Sequence, residues 1–221
     1  MSEPVLFCWS GGKDSAMALH LLRQDPSVKI VGLLTTVTEG YNRVSMHGVR
    51  CELLEQQAQS IGIPLTQVRI PPKADNTIYE FRMEAALGEY LAKGVKQVAF
   101  GDIFLEDLRV YRENNLAKLD MTAIFPLWKK DTRDLARYFQ TEKFRATAVC
   151  IDPKVLAEAF AGRELDESFF AELPADVDPC GENGEFHTFV HSGPIFNSPV
   201  LITKGEIVTR DGFTFCDLLP L

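Results

Sequence analysis

Short runs of β-branched and apolar residues recur along the first two thirds of the chain, separated by longer stretches with helical spacing. The runs Val5–Trp9, Lys29–Thr36, Leu65–Ile70, Lys96–Phe100, Thr122–Phe125 and Ala146–Ile151 read as strands. Between them, Ile78, Phe81, Ala85, Gly88 and Leu91 fall three or four residues apart, which predicts a helix with these residues on one shared face. Strands alternating with helices predict an α/β fold, a parallel sheet covered by helices.

The pattern changes after Asp152. A short helix near Val155–Phe160 is followed by a loop rich in Pro, Asp and Gly, then by short alternating runs. Arg210-Asp211-Gly212-Phe213 lies between two such runs and reads as a hairpin turn, because glycine tolerates positive φ. The expected division is residues 1–152 as the sheet domain and 153–221 as a small α+β portion. No Gly/Ser linker separates them, so the second portion is expected to pack on the first.

The chain has 221 residues, 46% hydrophobic and 24% charged, a composition that excludes wholesale disorder. No run approaches the ~18 apolar residues of a membrane span, and the first residues do not read as a leader peptide, so a cytoplasmic protein without a membrane partner is expected. A net charge of −8 disfavours a nucleic-acid partner held by general phosphate neutralisation. The charge is uneven: Asp166 to Thr203 holds seven acidic residues and no Lys or Arg, while Arg109 to Arg145 holds nine basic residues against five acidic. Both read first as solvated surface. Cys8, Cys51, Cys150, Cys180 and Cys216 contain no CxxC pair and are expected as reduced thiols.

The densest chemistry follows the first strand. Ser10-Gly11-Gly12-Lys13-Asp14-Ser15 runs directly into the helix-like Ala16–Leu22. Glycines at a strand-to-helix turn let backbone N–H groups converge, and the helix N-terminus adds partial positive charge, so the turn suits a phosphate. The spacing fits neither the GxxxxGK[ST] phosphate loop nor the GxGxxG dinucleotide fingerprint. SGGKDS resembles the PP-loop of the ATP pyrophosphatases, in the adenine-nucleotide α-hydrolase-like superfamily. That resemblance implies a Rossmann-like sheet with helices on both faces and cleavage of ATP between the α and β phosphates. Ser10, Gly11, Gly12 and Ser15 would hold the departing pyrophosphate, Lys13 would neutralise it, and Asp14 would orient Lys13 or reach Mg²⁺.

Met46-His47-Gly48, Gly101-Asp102-Ile103 and Asp178-Pro179-Cys180-Gly181-Glu182-Asn183-Gly184-Glu185-Phe186-His187-Thr188-Phe189 resemble, in order, the motifs of the diphthine–ammonia ligase family. The likeness runs from Val5 to about Pro199. Members in archaea and eukaryotes amidate a modified histidine of translation elongation factor 2, and other branches have been proposed to act in cobalamin salvage. The resemblance implies a ligase using ATP, Mg²⁺, ammonia and a carboxylate substrate, protein-borne diphthine or a small molecule. Gly101 and Asp102 would belong to the nucleotide site, with Asp102 at a strand's carboxyl end contacting ribose or Mg²⁺ or capping the next turn. Thr35 and Thr36 are candidates for the adenine or ribose, and His47 for a nucleotide or substrate contact. Glu182, Glu185 and His187 concentrate two carboxylates and an imidazole suited to proton transfer as ammonia attacks, or form a polar turn opening a strand.

Two rival functions remain at this level: a PP-loop enzyme that modifies RNA, kept open by the basic Arg109–Arg145 segment, and a non-catalytic adenine-nucleotide sensor. A homo-oligomer is compatible with everything above. Phe186, Phe189 and Phe196 lie within the acidic run and either fill the core or line a pocket for a quaternary amine.

Overall fold

The computed structural model describes residues 2–44 and 48–221. In chain order the elements are β1 (Glu3–Cys8), α1 (Lys13–Arg23), β2 (Val28–Thr38), β3 (Arg43–Val44), α2 (Cys51–Ile61), β4 (Leu65–Ile70), α3 (Asn76–Leu91), β5 (Gln97–Ala99), α4 (Glu106–Ala117), β6 (Thr122–Ile124), α5 (Thr132–Thr141), β7 (Arg145–Ile151), α6 (Glu167–Glu172), β8 (Phe186–Ser192), β9 (Ile202–Arg210) and β10 (Phe213–Pro220). A single 3₁₀ turn at Glu158–Phe160 precedes α6.

The parallel strands lie in the order β4-β2-β1-β5-β6, with the short β3 pairing antiparallel to the end of β2. Side chains alternate along a strand, and β1 uses both faces: Val5 and Phe7 enter one core, Leu6 the other. The first core also takes Met17 and Leu19 of α1, Leu53 and Leu54 of α2 and Phe139 of α5. The second takes Leu87 and Tyr90 of α3 and Leu116 of α4. Helices therefore cover both faces, as expected of a Rossmann-like sheet. The strand order reverses between β1 and β5, the place where open α/β sheets bind ligands beyond the strands' carboxyl ends.

The helix expected around Ile78 forms, capped by the Asp75 carboxylate, which accepts from Ile78 N at 2.9 Å. Its inward face differs from the expected one. Leu87 and Tyr90 are buried, with Tyr79, Met83 and Ala86 packed against the same core. Ile78 and Phe81 are 41% and 69% exposed. Two stripes of similar apolar content run along this helix, and only the neighbouring sheet decides between them.

Ala146–Ile151 is a strand but not part of the parallel sheet. β7 lies in a second, antiparallel sheet of order β8-β7-β10-β9. All but the first of its residues are buried, and a strand covered on both faces reads as a continuous apolar run in either kind of sheet. The hairpin forms as expected: β9 and β10 meet through Asp211 and Gly212, with φ of 52° and 84°. Phe186 and Phe189 are buried in the core that joins the two sheets, and Phe196 packs against it, so the three rings fill the core, with Phe186 alone also bordering a cleft. All five cysteines are free thiols. No helix among the described residues is long and apolar enough to cross a membrane.

Candidate active site

The glycine loop begins from a fixed point. Trp9 N donates to Leu34 O at 2.8 Å, and the Thr35 hydroxyl donates to the Trp9 carbonyl. Gly11 adopts φ 80°, and a Cβ there would meet Gln57 Oε1 at 2.8 Å, so only glycine serves. Gly12 is the N-cap of α1 and has no side chain with which to cap it, so part of the helix's positive end stays open to a ligand. Ser15 Oγ donates to Gly12 O at 2.8 Å, and Ser10 Oγ donates to Ser15 Oγ at 3.1 Å while accepting from Gly12 N at 3.2 Å.

Across the switch point, the end of β5 approaches this loop closely. A Cβ on Gly101 would lie 2.9 Å from Ser15 N, backbone that cannot give way. Next to it, the Asp102 carboxylate pairs with Arg112 Nε at 2.7 Å, and the Arg112 guanidinium lies 4.5 Å from the Phe100 ring centre.

The segment Asp178–Thr188 closes over the loop from the second sheet. Thr188 Oγ1 accepts from Lys13 N at 3.0 Å, and Val190 N donates to Gly11 O at 2.9 Å. Lys13 is 3% exposed; its ammonium contacts the Asp14 carboxylate at 2.8 Å, donates to the Cys180 carbonyl and sits 5.3 Å from the Phe186 ring centre. Burial works against the charged amine, but the carboxylate of Asp14 above all outweighs it, so Lys13 is held above its ordinary pKa as a cation.

The two carboxylates of this segment have separate environments. Glu182 Oε1 accepts from Ile103 N at 2.8 Å and Phe104 N at 3.4 Å. Burial, then the charge of Asp14, raises its pKa to about 7 against those amides. Glu185 is 6% exposed and serves its own loop, accepting from Asp178 N at 3.1 Å and from Asn183 N and Nδ2, both at 3.0 Å. His187 is lowered to about 4 by burial and by Lys13, so it is neutral near pH 7.

A cleft of about 720 Å³ opens at the switch point. Ser10, Gly12, Lys13, Asp14, Ser15, Thr35, Thr36, Gly101, Asp102, Glu182 and His187 all line it. Gly11 and Glu185 do not, and His47 lies outside the described residues. Arg112 and Thr188 line it too; sequence reasoning missed Arg112, and held Thr188 within the motif without giving it a role. Arg112 falls in a basic stretch read as surface and carries no local signal, whereas Thr188 sits inside the motif that holds Glu182 and His187. Among the described residues, no three Asp, Glu, His or Cys side chains converge as a metal cage. Asp14 and Asp102, each tied to a cation, suit at most a Mg²⁺ carried in on phosphates, which ordinarily needs only one or two protein carboxylates.

Fold and site together define a doubly wound α/β protein with a phosphate-type loop at its switch point. Residues 4–121 match the diphthamide synthase N-terminal domain, and residues 131–218 match the diphthamide synthase C-terminal domain. The chain belongs to this diphthamide synthase family. It is similar to the diphthine–ammonia ligase of Bos taurus, 28% identical over 136 residues that cover 58% of this chain and 49% of the relative. With the Schizosaccharomyces pombe diphthine–ammonia ligase it shares 24% identity over 233 residues, 97% of this chain and 38% of the relative. The chain thus spans half or less of the length of these relatives. A U34-tRNA thiolase from Methanococcus maripaludis overlaps it at a TM-score of 0.39 and 16% identity, covering 63% of this chain and 58% of that one. That likeness is too slight to carry any residue's role across.

Proposed function

We propose that the protein is an ATP-dependent amide-forming ligase, acting in the cytoplasm on a diphthine-type carboxylate; its relatives are named diphthine–ammonia ligases. A substrate carboxylate oxygen attacks the α phosphorus, and pyrophosphate leaves. Ammonia then attacks the acyl carbon, AMP departs, and nitrogen gives up a proton to a base. The observation that carries this reading is the meeting, in one cleft, of a buried lysine at the glycine-loop start of α1 with the Glu182 carboxylate, brought from the segment that leads into β8.

In this reading Lys13 and the N–H groups opening α1 stabilise negative charge gathering on pyrophosphate. Asp14 keeps Lys13 charged and with Asp102 is a candidate to meet Mg²⁺, whose chemistry would be to neutralise the phosphates. Thr35, Thr36 and Asp102 face the nucleoside. Glu182, poised near neutrality, takes the proton from nitrogen, and neutral His187 relays it or orients the nucleophile. Glu185 acts at one remove, by holding the loop that carries Glu182. Residues 1–152 thereby supply activation and 153–221 supply amidation, although the phosphate loop is finished by residues from the second portion. No observation favours RNA modification or mere nucleotide sensing.

Incubation with Mg·ATP, an ammonium salt and diphthine-bearing elongation factor 2 should yield AMP, pyrophosphate and a product with one carboxyl converted to amide. ADP and phosphate as the substrate-dependent products would overturn the proposal.

A further inference from the structure

One polar side chain sits under the glycine loop in otherwise apolar surroundings. Gln57 of α2 is fully buried, and the neighbours on its own helix, Leu53, Leu54, Ala58 and Ile61, are buried apolar residues. Its amide is nevertheless met on both sides. Oε1 accepts from Trp9 Nε1 at 3.0 Å, while Nε2 donates to Gly11 O at 3.0 Å and to Val190 O at 2.5 Å. Each partner belongs either to the glycine loop or to a segment that flanks it: Trp9 leads out of β1, and Val190 lies on β8. Gln57 does not line the cleft, so it cannot touch a ligand there. Helix packing alone would be served as well by leucine, whereas a buried primary amide is tolerated only where its hydrogen bonds are made.

We propose that Gln57 is a positioning residue: it fixes the Gly11 peptide between β1 and β8, and thereby aims the N–H groups opening α1 at the phosphates. The absent Cβ of Gly11 is part of the same device, since it lets the amide approach to 2.8 Å of where that atom would stand. The inference rests on the proposed use of ATP at this loop.

The variants Gln57→Leu, Gln57→Glu and Trp9→Phe, with Met121→Ala as a core change remote from the cleft, separate positioning from general stability. Gln57→Leu should lower kcat/KM for ATP by about tenfold or more, with kcat carrying most of the loss, because the loop acts on departing pyrophosphate. Trp9→Phe, which frees one end of the amide but keeps an aromatic ring, should show a smaller loss of the same kind. Met121→Ala should lower thermal stability and leave kcat and KM unchanged. Gln57→Glu carries the sharpest test. Its ionised carboxylate would face two carbonyl oxygens, whereas its protonated form regains one donor, so its activity relative to wild type should rise several-fold as pH falls from about 8.5 to 6. A flat ratio, or folded Gln57→Leu and Trp9→Phe proteins with wild-type kcat/KM, would overturn the positioning role. A wild-type protein that binds no ATP by calorimetry would instead overturn the proposed function, and this inference with it.

Discussion

The glycine loop Ser10–Ser15 and the segment Asp178–Thr188 border the same cleft but are held in shape by different means. The first is shaped mainly by missing side chains: Gly11 occupies a conformation strained for other residues, with Gln57 in the place of a Cβ, and Gly101 lets a second backbone come within reach. The second is shaped by side chains that accept from backbone N–H groups. Asp178 Oδ1 takes Cys180 N at 2.8 Å and Glu182 N at 3.3 Å, and Glu185 takes Asp178 N and Asn183 N. Missing side chains produce a general anion cradle that needs no tuning. A loop built on carboxylates can place two glutamates three residues apart in unlike settings, one engaged by its own loop and one displaced toward neutral pKa.

Breaking the first loop should have the largest effect. Lys13→Ala is expected to cost about 3 kcal/mol of transition-state stabilisation, about a hundredfold in rate, the scale of deleting one preorganised electrostatic contact; pyrophosphate release in a coupled assay measures it. Breaking the seam between the loops comes next. Thr188→Val leaves Lys13 N buried without its acceptor, which should lower unfolding free energy by about 1 to 3 kcal/mol in urea titrations and weaken nucleotide binding in parallel. Unchanged stability in that variant would mean water replaces the hydroxyl and the seam is looser than described.

The pH dependence of stability sharpens the contrast within the second loop. Glu182 is raised from 4.5 to about 7, so the folded state holds its proton more tightly and loses stability as pH climbs between those values. His187 is lowered from 6.5 to about 4, so its contribution runs the other way, favouring the folded state as pH climbs between about 4 and 6.5. The two offset each other in wild type. Glu182→Gln should therefore gain stability relative to wild type as pH rises from 4.5 to 7, and His187→Gln should lose it relative to wild type from 4 to 6.5. Parallel curves for all three proteins would refute both assignments. Cys180→Ala should have the smallest effect, within about threefold in kcat/KM, because Lys13 uses the backbone carbonyl there and burial raises the thiol's pKa far from reactivity.

The same contrast explains what could be read from the sequence. SGGKDS after an apolar run announces its own geometry, since glycine at a strand end has few other uses, and the parallel sheet follows from alternating runs. The partners were invisible. Gln57 looks like any helix glutamine until α2 is brought beside Gly11, and Thr188, though inside a motif, gives no hint that its partner is Lys13 N. Glu185 and Glu182 look alike in a motif, and only three-dimensional placement tells which lines the cleft. The expected face of α3 and the sheet assignment of β7 failed for a related reason, because both depend on what lies opposite and not on the residues themselves.

The bond from Lys13 N to Thr188 joins residues separated by 175 positions. During synthesis at roughly 5 to 20 residues per second, the lysine emerges on the order of ten to thirty seconds before its partner exists. For that interval the first sheet can pair its strands, yet the loop that would hold a nucleotide lacks the lid and the acceptor that complete it. A ribosome-bound chain arrested before residue 188 should therefore hold nucleotide far more weakly than one extended past β8. If the loop holds a nucleotide as proposed, its capture waits on translation through Thr188.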